Sequence, residues 1–294
     1  MIRVGPAGWS YPDWEGIVYP RPKPRGFHPL PFLARTFDCV EVNSSFYAMP
    51  RAENAQRWAE LVAPFPRFRF LAKLHQDFTH GPALGAREFA TAARTFEAGL
   101  EPLRGAGRLA ALLAQFPAGF RATRAAAARV ERLAETFGGA LPLAVELRHA
   151  SWFTPKALEW SRRLGVALLH IDLPRAVDHP PEDFPPTAAL GYYRLHGRNA
   201  RTWFEKGVGR DDRYDYLYGP AEVDAVVARA RRLAAEHDEL YVVTNNHFAG
   251  QAVANALEIA AGLGGVDLEA PESLLERYPR LRSIARARGQ QGLF

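Results

Sequence analysis

The chain has 294 residues, of which 48% are hydrophobic and 23% are charged, and its formal net charge is +5. This composition excludes a disordered or collagen-like chain, and the length allows one large α/β domain or two smaller ones. The single cysteine, Cys39, cannot form an internal disulfide. No apolar run approaches the ~18 residues of a membrane span. Residues 1–4 lead into a strand-like run without a signal-peptide core, so we expect a cytoplasmic protein.

Eight short apolar or β-branched runs bounded by turn residues predict β-strands. They cover residues 3–7, 39–43, 68–74, 109–116, 143–147, 166–171, 191–195 and 240–245. Helical patterns occupy most of the intervals between and after them, at residues 30–37, 53–62, 85–100, 123–137, 155–164, 221–236 and 251–263. Pro220 suits a helix start, and Gly138-Gly139 suits a helix end.

Strands that alternate with helices predict a parallel sheet, and eight such units in about 250 residues are typical of a (β/α)8 TIM-type barrel. A two-domain doubly wound protein is the rival, but no composition shift or low-complexity linker divides the chain. We therefore predict one TIM-barrel domain over residues 1–294. The Pro-rich residues 173–189 predict an incomplete helix after strand six, and residues 198–219 predict a long loop after strand seven.

Polar residues collect at the carboxyl ends of the predicted strands, where the active sites of TIM barrels lie. Residues two apart on a strand share a face, so pairs with this spacing should point together into a polar mouth. The apolar residue between the members of each pair is expected to face the helices. Five strands end in such pairs: Glu41 with Asn43, Lys73 with His75, Glu146 with Arg148, His170 with Asp172, and Arg194 with His196.

A series of motifs in matching order resembles the YecE-like family, also called domain of unknown function 72. The motifs are GWSYPDW (8–14), FDCVEVNSSFY (37–47), Thr79-His80, QFP (115–117), VELRHASW (145–152), YYRLHG (192–197) and NNHFAGQAVANA (245–256). The resemblance implies a TIM-type barrel and no defined activity. The fold similarity of that family to the endonuclease IV and sugar isomerase barrels suggests a nuclease by analogy alone.

The first functional hypothesis is an enzyme, a hydrolase or a lyase, acting on an anionic, phosphate-bearing or sugar-containing substrate at the barrel mouth. Glu146 is the predicted general acid/base, and Asp172 and His196 are predicted to relay protons. Arginine donors match phosphate or carboxylate, so Arg148 and Arg194 are predicted to hold the anion. The other predicted substrate-binding residues are Trp9, Glu41, Asn43, Lys73, His75, His149, Trp152, Asn245 and Asn246, with Trp9 and Trp152 as ligand walls.

Several alternatives stay open. The charges could form structural ion pairs, with Lys73, Arg148 and Arg194 neutralising Glu41, Glu146 and Asp172 one for one. The protein could bind or cut nucleic acid, with the Arg-rich loop 198–213 gripping phosphates, or it could bind a ligand without catalysis. A divalent metal is not favoured, because the neighbouring cations would repel it; its ligands would be His75, His196 and Asp172.

Overall fold

The fold is a mixed α/β arrangement whose main strands form two parallel sheets. The computed structural model describes residues 1–139, 141–203, 205, 207 and 209–288. The main strands are β1 (Ile2–Pro6), β2 (Cys39–Val42), β3 (Arg69–Lys73), β4 (Leu109–Gln115), β5 (Leu143–Glu146), β6 (Ala167–Leu168), β7 (His170–Asp172), β8 (Leu190–Leu195) and β9 (Glu239–Thr244). Their order is β2-β3-β4-β5-β6 in one sheet and β1-β9-β8-β7 in the other, with parallel neighbours throughout. The short strands β10 (Glu269–Ala270) and β11 (Arg286–Ala287) pair separately.

Helices follow most strands, as parallel pairing requires, because a parallel neighbour can be reached only by a crossover. Residues 173–189 contain no helix, which agrees with the predicted interruption. The helices are α1 (Pro29–Ala34), α2 (Ser44–Tyr47), α3 (Ala52–Leu61), α4 (Gln76–Thr79), α5 (Ala86–Gly105), α6 (Arg124–Phe137), α7 (Pro155–Leu164), α8 (Ala200–Trp203), α9 (Arg210–Arg213), α10 (Pro220–Glu236), α11 (Gln251–Gly262) and α12 (Glu272–Arg277).

Local sequence signals set several helix boundaries. The Thr154 hydroxyl accepts a hydrogen bond from the Ala157 amide at 3.3 Å, which caps the start of α7. Gly165 ends the same helix in a left-handed conformation, with φ of 67°. The predicted bounds of this helix, 155–164, are confirmed. By contrast, α5 continues past the predicted end at residue 100, because its buried face extends to Leu103.

The strands carry different residues on their two faces. Val40 and Val42 belong to the large core that packs against the helices, whereas Cys39 belongs to a smaller cluster drawn from both sheets. We call the side of the strands that carries this smaller cluster the inner face. It contains Ala7, Cys39, Leu71, Ala111, Leu113, Ala144, Ala167, Leu169, Leu190, Tyr192, Tyr241 and Val243.

The predicted sixth strand is divided at Leu169 into β6 and β7, which changes the predicted placement of two residues. The β7 register aligns Ile171 with Arg194, and His170 with Tyr193. Leu169 and Ile171 therefore occupy the inner face, while His170 and Asp172 lie on the helix-facing side. The prediction that His170 and Asp172 point into the mouth beside Arg194 is wrong. Both faces of this segment are apolar before residue 170, so its sequence does not show which alternate residues point to the inner face.

The two sheets approach each other at both of their edges. Between β1 and β2, Ala7 and Glu41 form an isolated parallel bridge, and the Gly8 amide donates to the Glu41 carbonyl at 2.8 Å. A Cβ added to Gly5 would lie 1.8 Å from the Cys39 carbonyl oxygen, so the two backbones are in direct contact there. At the other edge, Leu169 alone separates β6 from β7.

Within the ranges described above, no helix combines the length and apolar character that crossing a membrane requires.

Candidate ligand site at the strand ends

A buried network of charged side chains lies on the inner face at the carboxyl ends of the strands. Arg194 donates from Nε and Nη2 to the two carboxylate oxygens of Glu41, at 2.9 and 2.6 Å. Its Nη1 donates to Glu146 Oε2 at 2.8 Å and to the side-chain oxygen of Gln115 at 3.1 Å. The Tyr192 hydroxyl donates to Glu41 Oε2 at 2.5 Å. Every nitrogen of the Arg194 guanidinium is therefore occupied within the protein.

Arg148 and His196 surround the second glutamate of this network. Arg148 Nε donates to Glu146 Oε1 at 2.6 Å, and His196 Nε2 lies 3.3 Å from the same oxygen. On the other edge of the imidazole, Asn245 Nδ2 lies 3.1 Å from His196 Nδ1. These contacts fix a neutral His196 whose Nε2–H donates to Glu146 and whose Nδ1 accepts from Asn245.

The electrostatics of the network keep Glu146 ionised and His196 neutral. Burial by itself would raise the pKa of Glu146, but the adjacent Arg148 and Arg194 hold it well below its usual value. Burial lowers the pKa of His196 to about 4. An ionised Glu146 locked between two arginines is a poor proton donor at neutral pH. The predicted general-acid role of Glu146 does not fit this arrangement, and neither does anion binding by Arg194.

Lys73 lies beside this network and has no ion-pair partner within the part of the chain that the structure describes. Its Nζ lies 3.7 Å from the ring centroid of Phe46, and no described residue accepts a hydrogen bond from it. Burial, followed by the charge of Arg194, lowers the pKa of Lys73 to about 7, although Glu41 and Glu146 act in the opposite direction. The amine is thus divided between its neutral and charged forms near neutral pH.

Aromatic residues from the long segment after β8 cover this cluster. The Trp203 ring lies 5.8 Å from the guanidinium of Arg148 and 5.8 Å from the His196 ring. Tyr214 packs against Trp203 at 5.7 Å, and its ring lies 6.2 Å from His196. The long loop predicted after strand seven thus contains two short helices, α8 and α9, and it places an indole over Arg148.

Asp172 belongs to a different part of the surface. Arg198 donates to both of its carboxylate oxygens, at 2.9 and 2.6 Å, and the Tyr218 hydroxyl donates at 2.8 Å. Asp172 and Arg198 also line a cavity of about 410 Å³ under the Pro-rich segment. The Asp172 carboxylate is therefore held by a bidentate pair. The His196 amide donates to the Asp172 carbonyl at 2.8 Å, but among the described side chains the carboxylate forms no hydrogen bond with Glu146 or His196.

Three other predicted residues serve local structure in the loops. His75 caps α4 and its Nδ1 lies 3.2 Å from Asp77. His149 Nδ1 lies 2.8 Å from the Ser151 hydroxyl and caps the short 3-10 turn Ala150–Trp152. Trp152 is 2% exposed, donates to the Phe120 carbonyl at 2.7 Å and stacks on Trp160. This burial does not favour Trp152 as a ligand wall.

The remaining predicted residues divide between the core and a second cavity. Asn246 is fully buried and donates to the Tyr216 carbonyl and to the Asn255 side chain, both at 2.8 Å. Trp9 and Asn43 line a cavity of about 390 Å³. Asn43 lies between β2 and α2 and is half-buried, so it does not continue the strand that carries Glu41.

Sequence reasoning missed the contributions of Tyr192, Gln115 and Phe46 to the network. Tyr192 precedes Arg194 by two residues, so strand alternation alone places it on the same face. Gln115 ends β4 next to Glu146 in the register. For Phe46 the sequence contains no such signal, because its contact with Lys73 depends on how α2 folds back over β3.

No metal site is evident where the structure describes the chain: no three His, Cys, Asp or Glu side chains are grouped so as to hold an ion. The predicted ligands have other partners. His75 pairs with Asp77, His196 with Glu146, and Asp172 with Arg198.

The fold and the site define a parallel α/β protein with a buried charged cluster at its strand ends. The chain belongs to the family described as "Protein of unknown function DUF72", whose family model matches residues 3–276. The resemblance seen in the sequence motifs is therefore confirmed.

Curated relatives and solved structures are similar over most or part of the chain. The UPF0759 protein YunF of Bacillus subtilis (strain 168) is 29% identical over 273 residues, covering 88% of this chain and 93% of YunF. The UPF0759 protein YecE of Escherichia coli (strain K12) is 31% identical over 166 residues, covering 56% of this chain and 55% of YecE. A DUF72 family protein from Thermotoga maritima MSB8 has a TM-score of 0.75 at 31% identity, covering 90% of this chain and 100% of that one. Another from Enterococcus faecalis V583 has a TM-score of 0.78 at 26% identity, covering 90% and 96%.

Proposed function

We propose that the protein is an enzyme, a hydrolase or a lyase, that binds a small anionic substrate at the strand-end cluster. In this proposal Lys73 transfers a proton and Arg148 holds the anion. The observation that carries it is the buried Lys73 amine, which lies against Phe46 and forms no ion pair with a described residue. This assignment replaces Glu146 as acid/base and Arg194 as the anion-binding group.

The chemistry of Lys73 suits proton transfer at neutral pH. A general base works best when its pKa lies close to the working pH, because it is then both deprotonated and sufficiently basic. Burial brings the pKa of Lys73 to about 7, whereas a lysine in water stays protonated to much higher pH. Perturbed pKa values of this kind concentrate at functional sites.

The charge balance of the cluster favours an anionic ligand. Glu41 and Glu146 are already paired with Arg194 and Arg148. Any proton on Lys73 therefore adds uncompensated positive charge to a buried site, and an anion would neutralise it. Arg148 keeps its Nη1 free of hydrogen bonds to described residues, and its side chain is 11% exposed. It is the arginine of the cluster that can reach a ligand.

Glu41, Glu146 and Arg194 have a positioning role in this proposal. Their bidentate and shared contacts hold Arg148 and His196 in fixed orientations around Glu146 Oε1. Functional side chains need such support, because a shift of about 1 Å can lower a rate by two orders of magnitude.

We also propose that the two sheets are arcs of one closed (β/α)8 barrel forming a single domain. Its support is the backbone contact between β1 and β2 at Gly5 and Ala7, together with the continuity of β6 and β7 through Leu169. A crystal structure would test this, since an open gap between β1 and β2 would contradict closure.

The test of the proposed site uses the small number of lysines, since the chain contains only Lys23, Lys73, Lys156 and Lys206. Reductive methylation with 13C-formaldehyde gives each lysine a resonance whose pKa can be measured by NMR. We expect one resonance to titrate near pH 7 and to be absent from K73R. The exposed Lys156 provides the matched control, since K156R should keep the perturbed resonance.

Inorganic phosphate is the probe for anion binding in the same experiment. Phosphate should raise the pKa of Lys73, because a bound anion stabilises its charged form. The effect should be lost in R148M and weakened in R148K, which keeps the charge but lacks the forked donors. A Lys73 resonance that titrates above pH 9, or whose pKa does not change when phosphate is added, would contradict the proposal.

Turnover separates an enzyme from a ligand-binding module without catalysis. The wild type should turn over a member of a panel of phosphate esters and carboxylic acids, and the substitution K73M should abolish this turnover. If the protein only binds its ligand, the wild type should show no turnover and K73M should lower only the affinity.

The nucleic-acid alternative has less support, because Arg198 at the start of the Arg-rich loop is paired with Asp172 and Glu222. Binding that weakens steeply with salt would instead favour that alternative.

A further inference from the structure

A second cavity lies beside the start of α2, outside the charged cluster. It has a volume of about 390 Å³, within the range of roughly 300–1,000 Å³ found for small-molecule sites. Its walls come from the segment after β1, from α2 and from α3. Its described lining residues include no charged side chain and are Gly8, Trp9, Ser10, Tyr11, Asn43, Ser44, Tyr47, Asn54 and Trp58.

The aromatic walls of this cavity are held in place by packing. The Trp9 and Trp58 rings meet edge to face with centroids 5.2 Å apart, and Trp58 stacks on Phe70 at 6.4 Å. Gly8 lets the Tyr11 side chain pack against the backbone, since its φ is +76° and an added Cβ would lie 2.6 Å from the Tyr11 hydroxyl. The walls are therefore formed before any ligand arrives.

Several polar groups that line the cavity have no hydrogen-bond partner among the described residues, although the Tyr11 hydroxyl donates to the Ala7 carbonyl at 2.8 Å. No described residue forms a side-chain hydrogen bond with Asn43, Asn54 or Ser10, and the indole nitrogens of Trp9 and Trp58 have no acceptor there. This differs from the indoles of the core. Trp14, Trp152 and Trp160 each donate to a protein oxygen, at 2.7 to 2.9 Å.

We infer that this cavity is a binding site for a neutral carbohydrate ring. Aromatic faces and edges match the apolar C–H surfaces of a sugar, while amides and indole N–H groups match its hydroxyls. An anion or a cation would find no countercharge among the lining residues that the structure describes. The uncommitted amides of Asn43 and Asn54 can each donate and accept, as a ring of hydroxyl groups requires.

The cavity adjoins the strand-end cluster through two aromatic side chains. The exposed Tyr47 ring meets Phe46 edge to face at 5.1 Å, and Phe46 lies against Lys73 Nζ. A sugar in this cavity would therefore lie on the Phe46 side of Lys73. The inference itself does not depend on Lys73 chemistry, and neutral sugars test it separately.

The experiment observes the indole N–H signals of the six tryptophans in a 15N-labelled protein, assigned by single Trp→Phe variants. The probes are glucose, xylose and N-acetylglucosamine, with glycerol at equal concentration as the control. We expect saturable shifts of the Trp9 and Trp58 signals with a Kd in the millimolar range, and no comparable shift with glycerol. The signals of Trp14, Trp152 and Trp160 should stay unchanged.

Two polar variants at the surface of the cavity keep the test independent of folding defects. N43A and N54A should each weaken sugar binding at least fivefold, and W160F should leave it unchanged. Shifts confined to Trp203 would place the sugar over Arg148 and overturn the inference, as would shifts equal to those with glycerol. In R148M, glucose 6-phosphate and glucose should bind with equal affinity. In the wild type, glucose 6-phosphate should bind more tightly than glucose only if the proposed anion site is also correct.

Discussion

Arg194 and Glu41 form a bidentate ion pair in the interior of the protein, with neither residue more than 2% exposed. A buried pair of this kind gains little over apolar packing, because both charges lose their hydration. The pair does, however, orient other groups of the cluster. Through Glu146, the same guanidinium fixes Arg148 and His196 around one carboxylate oxygen.

Removing Arg194 should destabilise the protein strongly, because the buried Glu41 carboxylate loses its counterion and Glu146 keeps only Arg148. We expect R194M to lower the free energy of unfolding by about 3–5 kcal/mol. Urea denaturation at pH 7 measures this loss. The double variant E41Q/R194M should recover part of it, since the unpaired charge on Glu41 is removed. Equal losses in the single and double variants would contradict this account of the pair.

The sequence predicted much of this network, because strand alternation places Glu41, Glu146 and Arg194 on one face and the structure brings them together. What it could not predict was the pairing itself. Whether Arg194 meets a ligand or two glutamates depends on distances between strands that are far apart in the chain. The predicted orientation of Asp172 was wrong for another reason. The strand before it is apolar on both faces, so the sequence does not show which of its residues face inward.

Acid should destabilise the protein through buried neutral histidines. Burial and the nearby Arg229 lower the pKa of His170 to about 3, from an ordinary value of 6.5. As pH falls from 6.5 toward 3, the unfolded chain takes up a proton that the folded protein does not, so the free energy of unfolding falls. His170 should account for about 3 kcal/mol of this loss at pH 4.

The variant H170F keeps a planar ring against Phe184, on which His170 stacks at 4.1 Å. Urea denaturation between pH 7 and pH 4 should show a smaller loss of stability in H170F than in the wild type. His196 also has a lowered pKa and remains in the variant. The dependence of the unfolding free energy on pH should therefore be reduced in H170F and not abolished. Parallel profiles for the two proteins would show that His170 is protonated in the folded state.

Lys73 should make a contribution of the same sign at higher pH. Its pKa is about 7 when folded and 10.5 in the reference state. Between these values the unfolded chain holds a proton that the folded protein has lost, so stability rises with pH and is lost as pH falls toward 7. The difference in unfolding free energy between wild type and K73M should grow by about 1.4 kcal/mol per pH unit from pH 7.5 to 9.5.

The exposed Lys156 again supplies the comparison for this measurement. The difference between wild type and K156M should stay flat over the same range. A flat profile for K73M as well would mean that Lys73 is solvated and charged in the folded protein, which would also remove the basis for its role in proton transfer.

Gly5 should be one of the least replaceable residues of β1. A methyl group there would lie 1.8 Å from the Cys39 carbonyl oxygen and 3.1 Å from its sulfur, so β1 and β2 would have to separate. Overpacking in a core commonly costs about 1–3 kcal/mol, and a backbone collision leaves less room for adjustment than a side-chain one. We expect G5A to lose at least about 3 kcal/mol in urea denaturation, at the upper end of that range. G119A is the control, because nothing lies within 4 Å of the added group. If G5A and G119A were equally stable, β1 and β2 would not be in contact and the closure of the barrel would fail with them.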